Sequence, residues 1–213
     1  MYQPLMQWTQ GSDQLIRNVF CVGRNYAEHA SELGNERPVE PVIFLKPVSA
    51  ICFSGDTIRL PRLSQRVDHE VEIVVAMGEG NRIAGYGIGI DVTARDLQRK
   101  AQEKSLPWTI SKGFDTFAPI SAFVPAVAVE NPSELSFSLK VNGIARQKGA
   151  VSEMIFSIPE IITYLSGIFT LTPGDLIFTG TPKGVASIES GDKLDAELSL
   201  PGGLIANLKV NAT

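Results

Sequence analysis

Turn signals interrupt this chain so often that no apolar run in it exceeds the length of a β-strand. Gly55-Asp56, Asn142-Gly143, Gly174-Asp175, Gly191-Asp192 and Pro201-Gly202-Gly203 are all turn sequences, because glycine and asparagine reach positive φ at little cost. A chain cut into such pieces can build sheets but not long helices. Val19–Val22 and Val42–Leu45 read as buried strands. Leu135, Phe137, Leu139 and Val141 alternate with polar residues, so Asn142-Gly143 predicts a tight hairpin into Ile144–Gln147. Lys193–Leu200 and Leu204–Val210 predict a second hairpin. Three helices are expected. Asn25 with Glu28 resembles a capping box, with Gly34 as the stop. Thr93 with Asp96 opens a helix running to about Lys104, and Ser157 with Glu160 opens one ending at Gly167. Many short strands and few helices predict an α+β, mainly β body.

The chain of 213 residues suits a single domain over 1–213, with residues 1–17 as a short N-terminal arm. Cys21 and Cys52 both sit beside apolar residues, and two buried free thiols of a reducing compartment are expected. Met1–Thr9 carries no charged-then-apolar leader, and nothing approaches the ~18 apolar residues of a bilayer span. The expectation is a soluble, cytoplasmic protein with no membrane partner. A net charge of −4 with scattered lysines and arginines gives no basic face, so nucleic acid is not an expected partner either. An acidic chain that binds an anion needs a local positive centre, which a metal ion supplies compactly.

Asp68-His69-Glu70-Val71-Glu72-Ile73-Val74-Val75 is the most informative stretch. Residues two apart on a strand share a face, so Glu70 and Glu72 are expected side by side, with Val71, Ile73 and Val75 toward a core. Neighbouring carboxylates repel unless water or a cation lies between them. Oxygen-only ligands favour Mg2+, Mn2+ or Ca2+ over zinc; an edge strand with a solvated acidic face is the alternative. Gly85, Gly87 and Gly89 alternate along a second predicted strand, leaving a face that a ligand or another chain can approach closely. Asp91 ends that strand, either as a functional group or as a helix-start acid. His29 and Glu32 lie three apart on the first helix, as a general base with its orienting carboxylate or as a surface pair. His69 points away from Glu70 and is the weaker candidate ligand. Gly180-Thr181-Pro182-Lys183-Gly184 lacks P-loop spacing but offers a hydroxyl and backbone N–H groups to a carboxylate, or is a simple turn.

Six segments together resemble the fumarylacetoacetate hydrolase family, specifically its short acylpyruvase-like members. They are Val22-Gly23-Arg24-Asn25-Tyr26-Ala27-Glu28-His29, Glu40-Pro41-Val42-Ile43-Phe44-Leu45-Lys46-Pro47, His69-Glu70-Val71-Glu72, Asp91-Val92-Thr93-Ala94-Arg95-Asp96-Leu97-Gln98, Ser111-Lys112-Gly113-Phe114-Asp115 and Thr179-Gly180-Thr181-Pro182-Lys183-Gly184-Val185. The resemblance runs from about Val19 to the C-terminus. It implies layered mixed sheets rolled around the active site, usually in a homodimer. It implies Mg2+ or Mn2+ on Glu70, Glu72 and Asp91. Arg24, Arg95, Gln98, Lys112 and Thr181 would surround a small 2-oxo acid, and His29 and Glu32 would sit on a lid helix.

The chain departs from that pattern twice. The crossover Met77–Ile83 is about ten residues shorter than expected, and Val22 stands where long members carry an aspartate ligand. The chemistry that the resemblance implies is hydrolytic C–C cleavage of an acylpyruvate. His29 and Glu32 would activate water, and Lys112 would stand near the developing enolate. Oxaloacetate decarboxylase, enol–keto tautomerase and ring-fission isomerase activities use the same enolate and are the alternatives, with a sugar-acid hydratase beside them. A non-catalytic module stapled by its metal is the reading from a different class.

Overall fold

The computed structural model describes residues 3–28 and 37–213. Its centre is an eight-stranded mixed sheet. Along it lie Val42–Lys46, Val19–Gly23, Leu176–Phe178, Val71–Met77, Ile83–Ile90, Ala118–Ile120 and Ile51–Phe53, with Val124–Pro125 also paired to Ile83–Ile90. Two of the pairings are parallel, Val19–Gly23 with Leu176–Phe178 and Ala118–Ile120 with Ile51–Phe53. A five-stranded sheet, in the order Ile144–Ala150, Ser136–Val141, Lys193–Leu200, Gly203–Ala212 and Thr57–Ile58, packs over Ile83–Ile90. Thr93–Ala94, Val67–His69 and Ala186–Ser187 form a small third sheet. Leu5–Met6 pairs with Gln14–Leu15, and this N-terminal hairpin buries Met6 and Ile16 on the body.

Both expected hairpins form. Asn142 and Gly143 take φ of 53° and 78°, the left-handed pair that a two-residue hairpin turn requires. Val19–Gly23 is buried, but Val42–Lys46 is the edge strand of the large sheet and Leu45 is exposed, so only the first of those two strands is a core strand. Phe117, Phe123 and Phe178 are wholly buried between the layers, each contributing roughly 1.5–3 kcal/mol by leaving water.

Among the described residues the α-helices are Arg95–Glu103, Thr109–Lys112 and Ile158–Ser166. The last is closed by the predicted box: Ser157 accepts from the Glu160 N–H, and the Glu160 carboxylate accepts from the Ser157 N–H. Thr93 does not cap its helix, correcting that expectation. It lies in a strand and donates its hydroxyl to the Asp91 carbonyl, while Ala94 holds the cap position. Asn25 does not form the expected box either. Its side chain accepts from the Phe156 N–H and donates to the Phe156 and Thr179 carbonyls, clasping two distant segments. The rest of that expected helix, with His29, Glu32 and Gly34, lies outside the described residues.

The short crossover between the two central strands is a tight turn. Gly80 and Asn81 take positive φ there, and the Gly78 N–H closes the turn on the Arg82 carbonyl at 2.8 Å.

Candidate functional site

Register alone brings the three acids together. Val71–Met77 and Ile83–Ile90 are antiparallel, with Val71 opposite Ile90 and Glu72 opposite Gly89. One step further Asp91 faces Glu70, and the Asp91 N–H donates to the Glu70 carbonyl at 2.7 Å. Glu70 itself sits in the break between Val67–His69 and Val71–Met77. Each of Glu70, Glu72 and Asp91 can place a carboxylate oxygen within 4.8 Å of the other two, and all three are buried. The solvated acidic face is therefore excluded: every residue of Val71–Met77 is buried, so neither side of that strand meets water. Asp91 is no exposed helix-start acid either.

The glycine stripe explains how the strands close on the site. A Cβ on Gly89 would lie 2.7 Å from Phe178 and 2.8 Å from Val74, and one on Gly87 would lie 3.1 Å from Phe123. Aromatic rings, not a ligand, occupy the space that the missing side chains leave.

Three buried cations face the acids. The Lys112 ammonium donates to Glu70 (2.9 Å), to Asp91 and to the Thr93 hydroxyl (2.7 Å). Lys46 lies 2.7 Å from the Asp91 Oδ1 and donates to the Val92 and Lys112 carbonyls. That Asp91 oxygen has no aligned hydrogen bond, so the contact is a charge pair alone. Arg95 pairs with Asp68 (2.8 Å) and Glu70, and donates to the Gln98 side-chain Oε1. Burial would discharge Lys112, but Asp91 and Glu70 outweigh it and hold the ammonium charged. Among the described residues the Glu72 carboxyl has no such contact with a cation. Burial, then Asp91 and Glu70, push its pKa well above the ordinary range, against the Gly180 N–H and Lys112.

That imbalance is the test of a metal. Three converging carboxylates, one unable to ionise cheaply among its neighbours, form an oxygen-only set that fits a hard divalent cation. Val22 is buried in the core and adds no fourth ligand.

The remaining expected residues divide. Arg95, Gln98 and Lys112 lie in one buried network with Glu70 and Asp91. Arg24 is half-buried at the end of its strand with φ of 61°. Thr181 donates to the Val71 carbonyl and accepts from Gln147, while the Gly180 N–H donates to Glu72, so this loop binds the acid-bearing strand and is more than a turn. His69 is outside the acid trio, with Nδ1 2.9 Å from the Gln147 Oε1 and its pKa lowered by burial. Beside this loop, a groove of about 540 Å³ is lined by Tyr26, Glu28, Lys148, Gly149, Glu153 and Lys183. Cys21 and Cys52 are buried free thiols, and burial raises both pKa values.

Sequence reasoning gave no role to Lys46, Asp68 or Gln147. A lysine closing the apolar run Val42–Leu45 was a usable signal, because a buried ammonium needs an acid. Gln147 carried none, since polar residues are ordinary on a hairpin.

The model of the fumarylacetoacetate hydrolase C-terminal family matches residues 18–209. The chain belongs to the fumarylacetoacetate hydrolase family. Within it, oxaloacetate tautomerase FAHD1 from Arabidopsis thaliana is 47% identical over 191 residues, covering 85% of this chain and 86% of that protein. Fumarylpyruvate hydrolase from Pseudomonas aeruginosa, solved with Mn2+ and pyruvate, superposes with a TM-score of 0.90 at 37% identity, covering 99% of this chain and 96% of the other. The 5-carboxymethyl-2-hydroxymuconate delta-isomerase from Mycobacterium smegmatis superposes at 0.80 with 35% identity, over 96% and 86%. Fumarylacetoacetate hydrolase relatives thus include a tautomerase, a hydrolase and an isomerase on one fold.

Proposed function

We propose that this chain is a Mg2+- or Mn2+-dependent enzyme that enolises small 2-oxo acids, with oxaloacetate keto–enol tautomerisation as its first activity and acylpyruvate hydrolysis as its second. The observation that carries the reading is the buried trio Glu70, Glu72 and Asp91 set against Lys112 and Arg95. The ranking rests on the 47% identity to an oxaloacetate tautomerase against 37% to a fumarylpyruvate hydrolase. His29 and Glu32 favour the second reading, because attack by water needs a base.

A divalent cation on the three acids would supply charge stabilisation for an enolate oxygen. The rest falls to the chain. Arg95 has five donors, and three are engaged by Asp68, Gln98 and Glu70; the two left, with the Gln98 amide, suit a substrate carboxylate. Lys112 adds positive charge beside the oxygen that becomes anionic. In tautomerisation a proton leaves the enol oxygen and one is added at C3. In hydrolysis the His29–Glu32 pair takes a proton from water, which adds to the distal carbonyl before the C–C bond breaks. The absence of side chains over Gly85, Gly87 and Gly89 plays no part, since aromatic rings fill that space.

The test is loss of the ultraviolet enol band for oxaloacetate, acetylpyruvate and fumarylpyruvate, with Mn2+ or with EDTA, while pyruvate and CO2 are measured. Metal-dependent loss from oxaloacetate without pyruvate supports the tautomerase. Pyruvate plus a carboxylic acid from an acylpyruvate supports the hydrolase, and CO2 with pyruvate from oxaloacetate supports a decarboxylase. Full rates in EDTA would refute the metal dependence. His29→Ala and Glu32→Gln with undiminished rates would refute the proposed base.

A further inference from the structure

Gln147 is buried on a hairpin of the five-stranded sheet, yet its carboxamide reaches across to the strand that carries the acids. Its Oε1 accepts from the Val71 N–H at 3.1 Å and lies 2.9 Å from the His69 Nδ1. Its Nε2 donates to the Thr181 hydroxyl at 2.8 Å and to the Pro182 carbonyl at 2.9 Å. The two backbone groups fix which end is which, because an N–H only donates and a carbonyl only accepts. Three further placements follow from that orientation. His69 must carry its proton on Nδ1, which leaves Nε2 as a bare, buried lone pair without a partner among the described residues. Thr181, already accepting, turns its own hydrogen to the Val71 carbonyl. His69 and Val71 flank Glu70, so the break that presents the Glu70 carboxylate is gripped on both sides.

We infer that Gln147 is a positioning residue. Its carboxamide holds Glu70 in the ligand set and ties the Gly180–Thr181 loop, whose N–H bonds Glu72, to the same strand. It touches neither carboxylate and acts through His69, Val71 and Thr181. The inference rests on the proposed metal site, but its geometry does not. A purely structural role would be met by any buried filler of the same volume; this one requires the amide.

The experiment compares wild type with Gln147→Leu, Gln147→Glu and Leu139→Ala. Leu139 pairs with Gln147 across the hairpin, so its variant destabilises the same sheet without entering the network. Mn2+ affinity is measured by isothermal titration on protein shown folded by circular dichroism. The ring-nitrogen shifts of His69 are read by NMR, where His29 is the only other histidine. Expected is a loss of Mn2+ affinity of about ten- to a hundredfold in Gln147→Leu, the range for residues that orient ligands. His69 should also lose its fixed Nδ1–H form there, with both readouts unchanged in Leu139→Ala. Wild-type affinity in folded Gln147→Leu overturns the inference. If Gln147→Leu does not fold, Gln147→Glu decides, since it keeps the acceptor toward Val71 and His69 and sets a second carboxylate oxygen where the donor faced Thr181 and Pro182. A changed KM or kcat then supports the inference and unchanged values overturn it. If wild type itself fails to bind Mn2+, the metal reading fails, and the His69 tautomer alone decides: Nδ1–H in wild type and its loss in Gln147→Leu supports the role of Gln147, whereas Nε2–H in wild type, or Nδ1–H kept in Gln147→Leu, overturns it.

Discussion

The backbone N–H of Gly180 donates to the Glu72 carboxylate at 2.7 Å, across 108 residues of sequence. With the charge of Lys112 it lowers the Glu72 pKa against burial and two neighbouring acids, and it does not suffice. Glu72 is therefore where the site is most sensitive to a cation.

Glu72→Gln keeps the shape and an acceptor for the Gly180 N–H, so the fold should survive. Mn2+ affinity should fall by more than about a hundredfold, beyond the range for residues that only orient ligands. Calorimetric titration checks this, and an unchanged dissociation constant would remove Glu72 from the ligand set.

The raised pKa of Glu72 also fixes the sign of a pH effect. The folded protein holds the Glu72 proton more tightly than the unfolded chain, so this group stabilises the fold below its ordinary value of 4.5. The contribution is lost as pH rises through the folded value. In EDTA, the melting temperature of wild type should fall relative to Glu72→Gln as pH is raised above 4.5, and saturating Mn2+ should flatten that difference. Parallel melting curves for the two proteins in EDTA would contradict it.

Lys112→Met removes a buried ammonium that faces Glu70 and Asp91 at once. Stripping one partner from a buried ion pair costs about 3–5 kcal/mol. In EDTA the variant should denature at clearly lower urea concentration, with part of the loss recovered by Mn2+. An unchanged urea midpoint would mean that Lys112 does not balance these acids.

Gly89→Ala places a methyl group 2.7 Å from the Phe178 ring and 2.8 Å from a Val74 methyl, both buried and stiff rather than flexible chain ends. Overpacking of this kind costs about 1–3 kcal/mol. Gly202→Ala, with nothing within 4 Å, should stay within about 0.5 kcal/mol of wild type. Equal stability of the two variants would show that the stripe is not tightly packed.

Much of this arrangement was legible in the residues. Alternation and turn pairs gave the hairpins, and the Glu70–Glu72 spacing with Asp91 ending the next strand gave the acid trio, because antiparallel register converts those positions into neighbours. Burial was not legible: a polar residue every second position reads as a wet face, and only the third dimension shows Lys46, Arg95, Lys112 and the Gly180–Thr181 loop closing against it. The cap assignments failed for a related reason. Asn25 and Thr93 have the chemistry of helix caps, but Asn25 bonds distant segments, and the Thr93 hydroxyl donates to the Asp91 carbonyl and accepts from Lys112. Gln147 was invisible because its four partners come from two stretches of sequence, each more than 30 residues away.

The tight turn at Glu79–Asn81 has a practical use. It is exposed, and it caps the same strand pair that carries Glu72 and Gly89. Seven residues of strand at about 3.3 Å each set it roughly 20 Å from Glu72. A small reporter peptide grafted at that tip would ride on the strands that hold the acids while staying clear of them, giving a handle on the site's rigidity that no substitution inside it can offer.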